Sequence, residues 1–97
     1  MLLARVVGNV VSTRKVEKLL GSKLLIVEPL DCESLQPTAK PLVAVDSVGA
    51  GEGEVVLVVQ GSSARLTQTT ENCPVDATIM AIVDTVDIGG RETFRKS

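Results

Sequence analysis

The segment EVVLVVQ, residues 54–60, decides the fold of this chain. Five consecutive aliphatic residues stand between two polar ones, and four of the five are valines. β-branched residues in a run of this length favour a strand over a helix. Successive side chains of a strand alternate between its two faces, so Val55, Leu57 and Val59 share one face and the two intervening valines share the other. Both faces are apolar, and we expect both to be covered.

Four further segments carry strand patterns, at residues 2–11, 23–29, 41–48 and 78–86. In the first of these the even positions are apolar or small, while Arg5 and Asn9 occupy odd positions, which is the period of a strand. Gly61 begins a short helix at residues 61–66, because a serine following it can accept hydrogen bonds from the first helical turn. A glycine pair at residues 89–90 ends the strand pattern, and residues 87–97 are expected to be a polar C-terminal tail.

Together these elements predict an all-β fold, a small five-stranded OB-like barrel with one short helix. A chain of 97 residues supports a single domain, spanning residues 1–97. A domain this small buries only about 60 to 65% of its unfolded surface, so a lone subunit is marginally stable and partners are expected. Phe94 is the only aromatic residue in a composition that is 44% hydrophobic, so the core must be aliphatic.

The charge balance argues against nucleic acid and membranes as partners. Ten basic residues face twelve acidic ones, a net charge of -2, so no strong positive field attracts phosphate groups. Bases also need aromatic side chains to stack on, and this chain offers one. No apolar run approaches the roughly 20 residues that span a bilayer, and the N-terminus lacks the pattern of a signal peptide. An OB-type module for single-stranded nucleic acid or another oligomeric ligand remains the alternative function.

Catalytic groups are scarce. The chain has no histidine, which removes the commonest general base and most zinc sites. The acidic residues lack the spacing of a calcium loop. The glycine cluster at residues 49–53 lacks both the third glycine of a dinucleotide fingerprint and the lysine of a phosphate loop. We therefore expect no enzyme activity, catalytic residue, metal site or cofactor.

Three side chains raise narrower questions. Cys32 and Cys73 are too few for a disulfide framework, and we expect free thiols that are buried or half-buried. Asp84 interrupts the fifth strand pattern, and a buried carboxylate without a partner is costly. Either it pairs with Arg65 or Arg5, or it marks the exposed end of the strand.

Five short motifs occur in order along the chain: VVGNVVST at residues 6–13, KLL at 23–25, DSVGAG at 46–51, GSSAR at 61–65 and PVDA at 74–77. Together they resemble the EutN/CcmL family of bacterial microcompartment vertex proteins, from residue 1 to about residue 86. The resemblance implies a cyclic homopentamer at the vertices of a cytoplasmic microcompartment shell, with hexameric shell proteins as its other partners. It also implies that neighbouring subunits cover the second face of the strand at 54–60.

The same resemblance suggests where the ring contacts lie. The candidates for the loop nearest the fivefold axis, where small residues let backbones crowd together, are Gly49, Ala50, Gly51, Glu52 and Gly53. The candidates for the contact between subunits are Gly61, Ser62, Ser63, Ala64, Arg65 and Asp84.

Overall fold

The computed structural model describes residues 1–12, 23–61 and 76–97, and these residues form seven strands. The strands are β1 (Leu2–Val10), β2 (Lys23–Pro29), β3 (Leu42–Asp46), β4 (Val55–Gln60), β5 (Ala77–Ile82), β6 (Thr85–Ile88) and β7 (Arg91–Arg95). The short helix predicted at residues 61–66 lies outside the described residues beyond Gly61, and Cys73 lies outside them too. Cys32 is a free thiol as predicted, but it is exposed, whereas a buried or half-buried thiol was expected.

Five of the strands close into a barrel in the order β1-β2-β3-β5-β4. All neighbours in it are antiparallel except β3 and β5, which pair in parallel through Val45 with Thr78 and Asp46 with Ile79. The predicted all-β, OB-like barrel is therefore confirmed.

Small aliphatic side chains fill the interior of the barrel. Alternation along each strand sends every second residue inward. The buried interior residues are Ala4, Val6, Leu25, Val27, Ala44, Ala50, Val56, Val58, Ala77 and Ile79. Ile79 is the largest fully buried side chain among them. Four alanines in this set reflect how little room a five-stranded barrel leaves at its centre.

Strand β4 is covered on both faces, as its sequence predicts. Val56 and Val58 point into the barrel with no exposed surface, and Val55 on the other face is only 1% exposed. That outer face packs in a second apolar cluster with Leu3 and Leu30, the buried neighbours of Val55. The partly buried members of this cluster are Leu35, Leu57, Val83, Val86 and Phe94. The cover therefore comes substantially from within the chain, and the expectation that neighbouring subunits supply it was wrong in that respect.

The C-terminal residues that were expected to be a polar tail instead form a β-hairpin. The single predicted strand at 78–86 divides at Val83 and Asp84 into β5 and β6. β6 then pairs with β7 across Gly89 and Gly90, whose φ angles are 57° and 80°. Two glycines with positive φ are typical of a tight hairpin turn. The glycine pair therefore reverses the chain, and Phe94 returns to pack on the barrel.

Candidate functional site

The loop between β3 and β4 is held at its start by a buried carboxylate. The Asp46 side chain is 2% exposed, and its Oδ1 accepts hydrogen bonds from the backbone N–H groups of Val48 and Gly49 at 3.0 and 3.1 Å. The ammonium of Lys23 lies 3.6 Å from Oδ2 of Asp46. It also donates to the carbonyl oxygen of Ala50 at 2.9 Å. Charge and hydrogen bonds together fix the first half of the loop.

The structure places the five predicted axial residues in different surroundings. Gly49 and Gly53 have φ angles of 80° and 87°, where a side chain would be strained, so both positions require glycine. Both are exposed, as is Glu52, and Gly51 is half-buried. Ala50 has no exposed surface and belongs to the barrel core. The loop therefore leaves Gly49, Glu52 and Gly53 exposed at its surface, whereas Ala50 anchors it in the barrel core.

Glu54 holds the other end of the loop. Its Oε1 accepts from the backbone N–H of Gly51 at 2.8 Å, and its Oε2 lies 2.6 Å from the ammonium of Lys96. The backbone carbonyl of Glu54 accepts from Val6 at 2.9 Å, while Gly53 donates back to the carbonyl of Val6 at 2.8 Å. One carboxylate thus joins the glycine loop to the C-terminal hairpin.

These contacts shift the ionisation of both partners. The hydrogen bond from Lys96, followed by that from the Gly51 N–H, lowers the pKa of Glu54 below its ordinary value. The hydrogen bond to Glu54 raises the pKa of Lys96, and the nearby charge of Asp84 raises it further. The pair therefore contributes fully between about pH 5 and pH 10. Its contribution is lost as the pH falls through the lowered pKa of Glu54 or rises through the raised pKa of Lys96.

Replacing Lys96 with methionine is expected to loosen the glycine loop. Without the cation, Glu54 is free to leave Gly51, so the Gly51 amide should exchange hydrogen faster at pH 7. The difference from the unmodified protein should shrink on acidification, because protonated Glu54 no longer pairs with Lys96. Hydrogen exchange followed by NMR measures both effects.

Arg95→Met is the matched control, because Arg95 pairs with Glu92 inside the hairpin at 3.0 Å, and among the described residues no ion pair joins it to the barrel. Equal exchange at Gly51 in the two variants would show that the Lys96 contact does not hold the loop.

The predicted contact residues are only partly described. Gly61 directly follows β4, has a φ of 68° and donates to the carbonyl of Asp76 at 2.8 Å. The other members of the GSSAR motif, Ser62, Ser63, Ala64 and Arg65, lie outside the described residues.

Asp84 is exposed at the bend after β5. This agrees with the alternative that Asp84 marks the exposed end of the strand. Arg5 does not pair with it, since its guanidinium donates to the carbonyl of Gly53 at 3.2 Å, so that pairing was wrong. The alternative partner, Arg65, lies outside the described residues. The backbone carbonyl of Asp84, not its carboxylate, accepts from the backbone N–H of Lys96 at 2.7 Å.

Sequence reasoning missed the residues that hold the loop in place. Asp46 carried a usable signal. An aspartate side chain often accepts hydrogen bonds from the backbone N–H groups two and three residues further along the chain, and this forms a turn. Lys23, Glu54 and Lys96 carried none, since they meet only after the barrel closes and the hairpin folds back.

Within residues 1–12, 23–61 and 76–97, no three potential ligands of the His, Cys, Asp and Glu types come together as a metal site would require. The same residues include no helix with the length and apolarity needed to cross a membrane.

A small closed five-stranded barrel with a tethered glycine loop defines an all-β protein of the OB type. The family model described as "Ethanolamine utilisation protein EutN/carboxysome" matches residues 1–84. This chain belongs to the EutN/CcmL family, as the sequence motifs predicted. Family members are structural shell vertex proteins, so the protein is not an enzyme.

Relatives and solved structures agree with that assignment. The shell vertex protein GrpN of Rhodospirillum rubrum is 49% identical over 87 residues, which cover 90% of this chain and 97% of GrpN. The shell vertex protein EutN of Salmonella typhimurium is 46% identical over 96 residues, covering 99% and 96% of the two chains. The structure of Gloeobacter violaceus CcmL superposes with a TM-score of 0.91 at 42% identity, covering 99% of this chain and 98% of that one.

The structure of GrpN, described as a pentameric microcompartment shell protein, superposes with a TM-score of 0.81 at 50% identity. That match covers 91% of this chain and 99% of GrpN. GrpN therefore aligns over nearly its whole length and still leaves part of this chain unmatched. The family model likewise stops at residue 84, one residue before β6 begins. The hairpin β6–β7 lies beyond the residues that the family model matches, whereas EutN of Salmonella typhimurium and CcmL of Gloeobacter violaceus each match 99% of this chain.

Proposed function

We propose that this chain assembles into a closed homopentamer that occupies the vertices of a bacterial microcompartment shell, which lies in the cytoplasm, beside hexameric shell proteins. The similarity to GrpN carries this proposal, because a pentameric shell protein that is 50% identical shares the barrel over 91% of the chain. An interface that meets itself head to tail closes into a ring when its rotation allows. A flat sheet of hexamers needs fivefold units to close into a polyhedron.

Within this ring we place the loop Gly49–Gly53 nearest the fivefold axis, and the GSSAR motif with Asp84 at the contact between subunits. The exposure of Gly49, Glu52 and Gly53 supports the axial position. The hydrogen bonds of Asp46 and Glu54 support it as well, since five copies of a loop can crowd around an axis only if each keeps one conformation.

Gly51→Trp is expected to break the pentamer while leaving the barrel folded. A Cβ atom at Gly51 would meet only Oε1 of Glu54, at an ordinary 3.7 Å, so the subunit itself has room for a side chain. Five indole rings around one axis would not fit. Native mass spectrometry should show smaller species for this variant, with an unchanged circular dichroism spectrum.

Lys40→Trp supplies the control, because Lys40 is exposed in the loop before β3. A Gly51→Trp protein that stays pentameric would remove the loop from the axis.

The alternative function, an OB-type module for single-stranded nucleic acid, gains no support from the family assignment. The relatives are named as shell vertex proteins of bacterial microcompartments and carboxysomes.

Co-expression with a hexameric shell protein tests the vertex function directly. Electron microscopy should show closed polyhedral particles when this chain is present, and open sheets or tubes when it is left out. Particles that remain open although the pentamer forms would reject the vertex function.

A further inference from the structure

A row of aliphatic residues crosses the outer surface of the barrel at β1, β2 and β3. Strand pairing aligns Gly8 with Ile26 and Ile26 with Val43, and Val7 lies in the bulge beside Gly8. The side chain of Ile26 lies over Gly8, since a Cβ there would meet its Cδ1 at 3.5 Å. Val7 and Val43 are 44% and 48% exposed. Antiparallel barrels usually place polar residues on such an outer face.

A second aliphatic row runs beside the first. Val10 is aligned with Leu24, two residues along each strand from the first row, and both are half-buried. We call these residues the β1–β3 outer face: Val7, Gly8, Val10, Leu24, Ile26 and Val43. None of its side chains is charged. Arg5 and Glu28, which are aligned with each other on β1 and β2, form the next row beyond it.

The β1–β3 outer face continues toward the glycine loop. Val10 and Leu24 also line a cleft of about 470 Å³ that Ala50, Gly51 and Glu52 line as well. The ammonium of Lys23, which donates to Ala50, lies in the same cleft. A body packed against the outer face would therefore reach the loop that Asp46 and Glu54 hold in place.

The outer face of β4 offers an instructive contrast. There the chain covers its own aliphatic side chains, with Phe94 and Val86 of the hairpin packed beside Val55. Val55 is left 1% exposed, whereas Val43 stays 48% exposed with the described chain in place. An aliphatic face left this open is typical of a surface that is buried on association.

We propose that the β1–β3 outer face is the surface against which the adjacent copy of this chain packs in the ring. The inference rests on the proposed pentamer and goes beyond it, because it assigns the contact to residues outside the GSSAR motif and Asp84. A second copy is the favoured occupant because permanent homo-oligomeric interfaces are more apolar than other contacts. Continuity with the glycine loop places the face on the axial side of the subunit.

Val43→Glu tests this surface. In the free subunit the new carboxylate points into water, so the barrel should fold normally. In the ring it would be buried without a partner, which is the kind of change that weakens association at least about 30-fold. We expect the concentration at which half of the rings dissociate to rise by that factor or more in sedimentation velocity, and Val7→Glu to behave alike. Val43→Thr, which keeps the shape and strand preference of valine, should weaken the ring in the same direction even if the glutamate variant fails to fold.

Ile88→Glu is the matched control, since Ile88 is 38% exposed on the hairpin, away from the β1–β3 outer face. Its ring should dissociate at the same concentration as the unmodified one. Unmodified protein that forms no ring would overturn the proposed pentamer and this contact together. An intact ring in the Val43 and Val7 variants would overturn the contact alone. If those variants keep the ring but fail to close shells, the face belongs to the hexamers, which also contradicts the proposal.

Discussion

Ile79→Ala is expected to lower the free energy of unfolding by about 2 to 5 kcal/mol. Ile79 has no exposed surface and is the largest fully buried side chain described. It is paired with Val58 on β4 and with Asp46 on β3, the two strands that flank β5. A rigid, closed barrel cannot collapse around the space that the truncation leaves, which adds a cavity cost to the lost burial. Urea denaturation at one fixed protein concentration measures the change, because dissociation of the ring also depends on concentration.

Met80→Ala provides the comparison for Ile79→Ala within the same strand. Met80 is 38% exposed on the opposite face of β5, so its truncation removes little buried surface and should cost less than about 1 kcal/mol. Equal losses at the two positions would mean that the interior is not the main source of stability.

Asp46→Ala is expected to cost about 1 to 3 kcal/mol and to release the glycine loop. The change removes the acceptor shared by Val48 and Gly49 together with the partner of Lys23. The loop should then lose its single conformation, and the ring should weaken with it. Urea denaturation gives the stability, and hydrogen exchange at the amides of Val48 and Gly49 reports on the loop.

Asp46→Asn separates the two contributions of this side chain. Asparagine keeps an oxygen that can accept from both amides but has no charge to attract Lys23. We expect amide protection near that of the unmodified protein. Exchange as fast as in Asp46→Ala would show that the ion pair with Lys23, and not the pair of hydrogen bonds, fixes the loop.

The barrel was predictable from sequence because each of its strands carries its own pattern. Residues 23–29 were assigned to a strand with the same bounds that the structure shows. The apolar residues on both faces of β4 indicated that each face of this strand is covered by other parts of the protein. The order in which the strands close is a different matter. It depends on contacts between distant segments, and the OB-like arrangement was inferred from strand number and length.

The hairpin escaped prediction because its apolar content is slight. Val86 ended the strand predicted at 78–86, whereas Phe94 stands among polar and charged residues in 87–97, so local pattern favoured a tail there. Their packing becomes favourable only beside Leu3, Leu30 and Val55, which the folded barrel brings together. Tertiary contact thus outweighed local preference.

The candidate site was predictable only in part. The cluster of glycines at 49–53 was visible in the sequence, and Gly49 and Gly53 do adopt the positive φ angles that glycine takes without strain. The β1–β3 outer face could not be found in the same way. The exposure of Val43 follows from which strands flank it, and an isolated strand pattern does not contain that information.

Native mass spectrometry of the purified chain tests the central claim most directly, namely that this barrel completes its surface with copies of itself. We predict a dominant species of five times the mass of the 10.2 kDa chain, stable at micromolar concentration. A well-folded monomer at the same concentration would contradict the account.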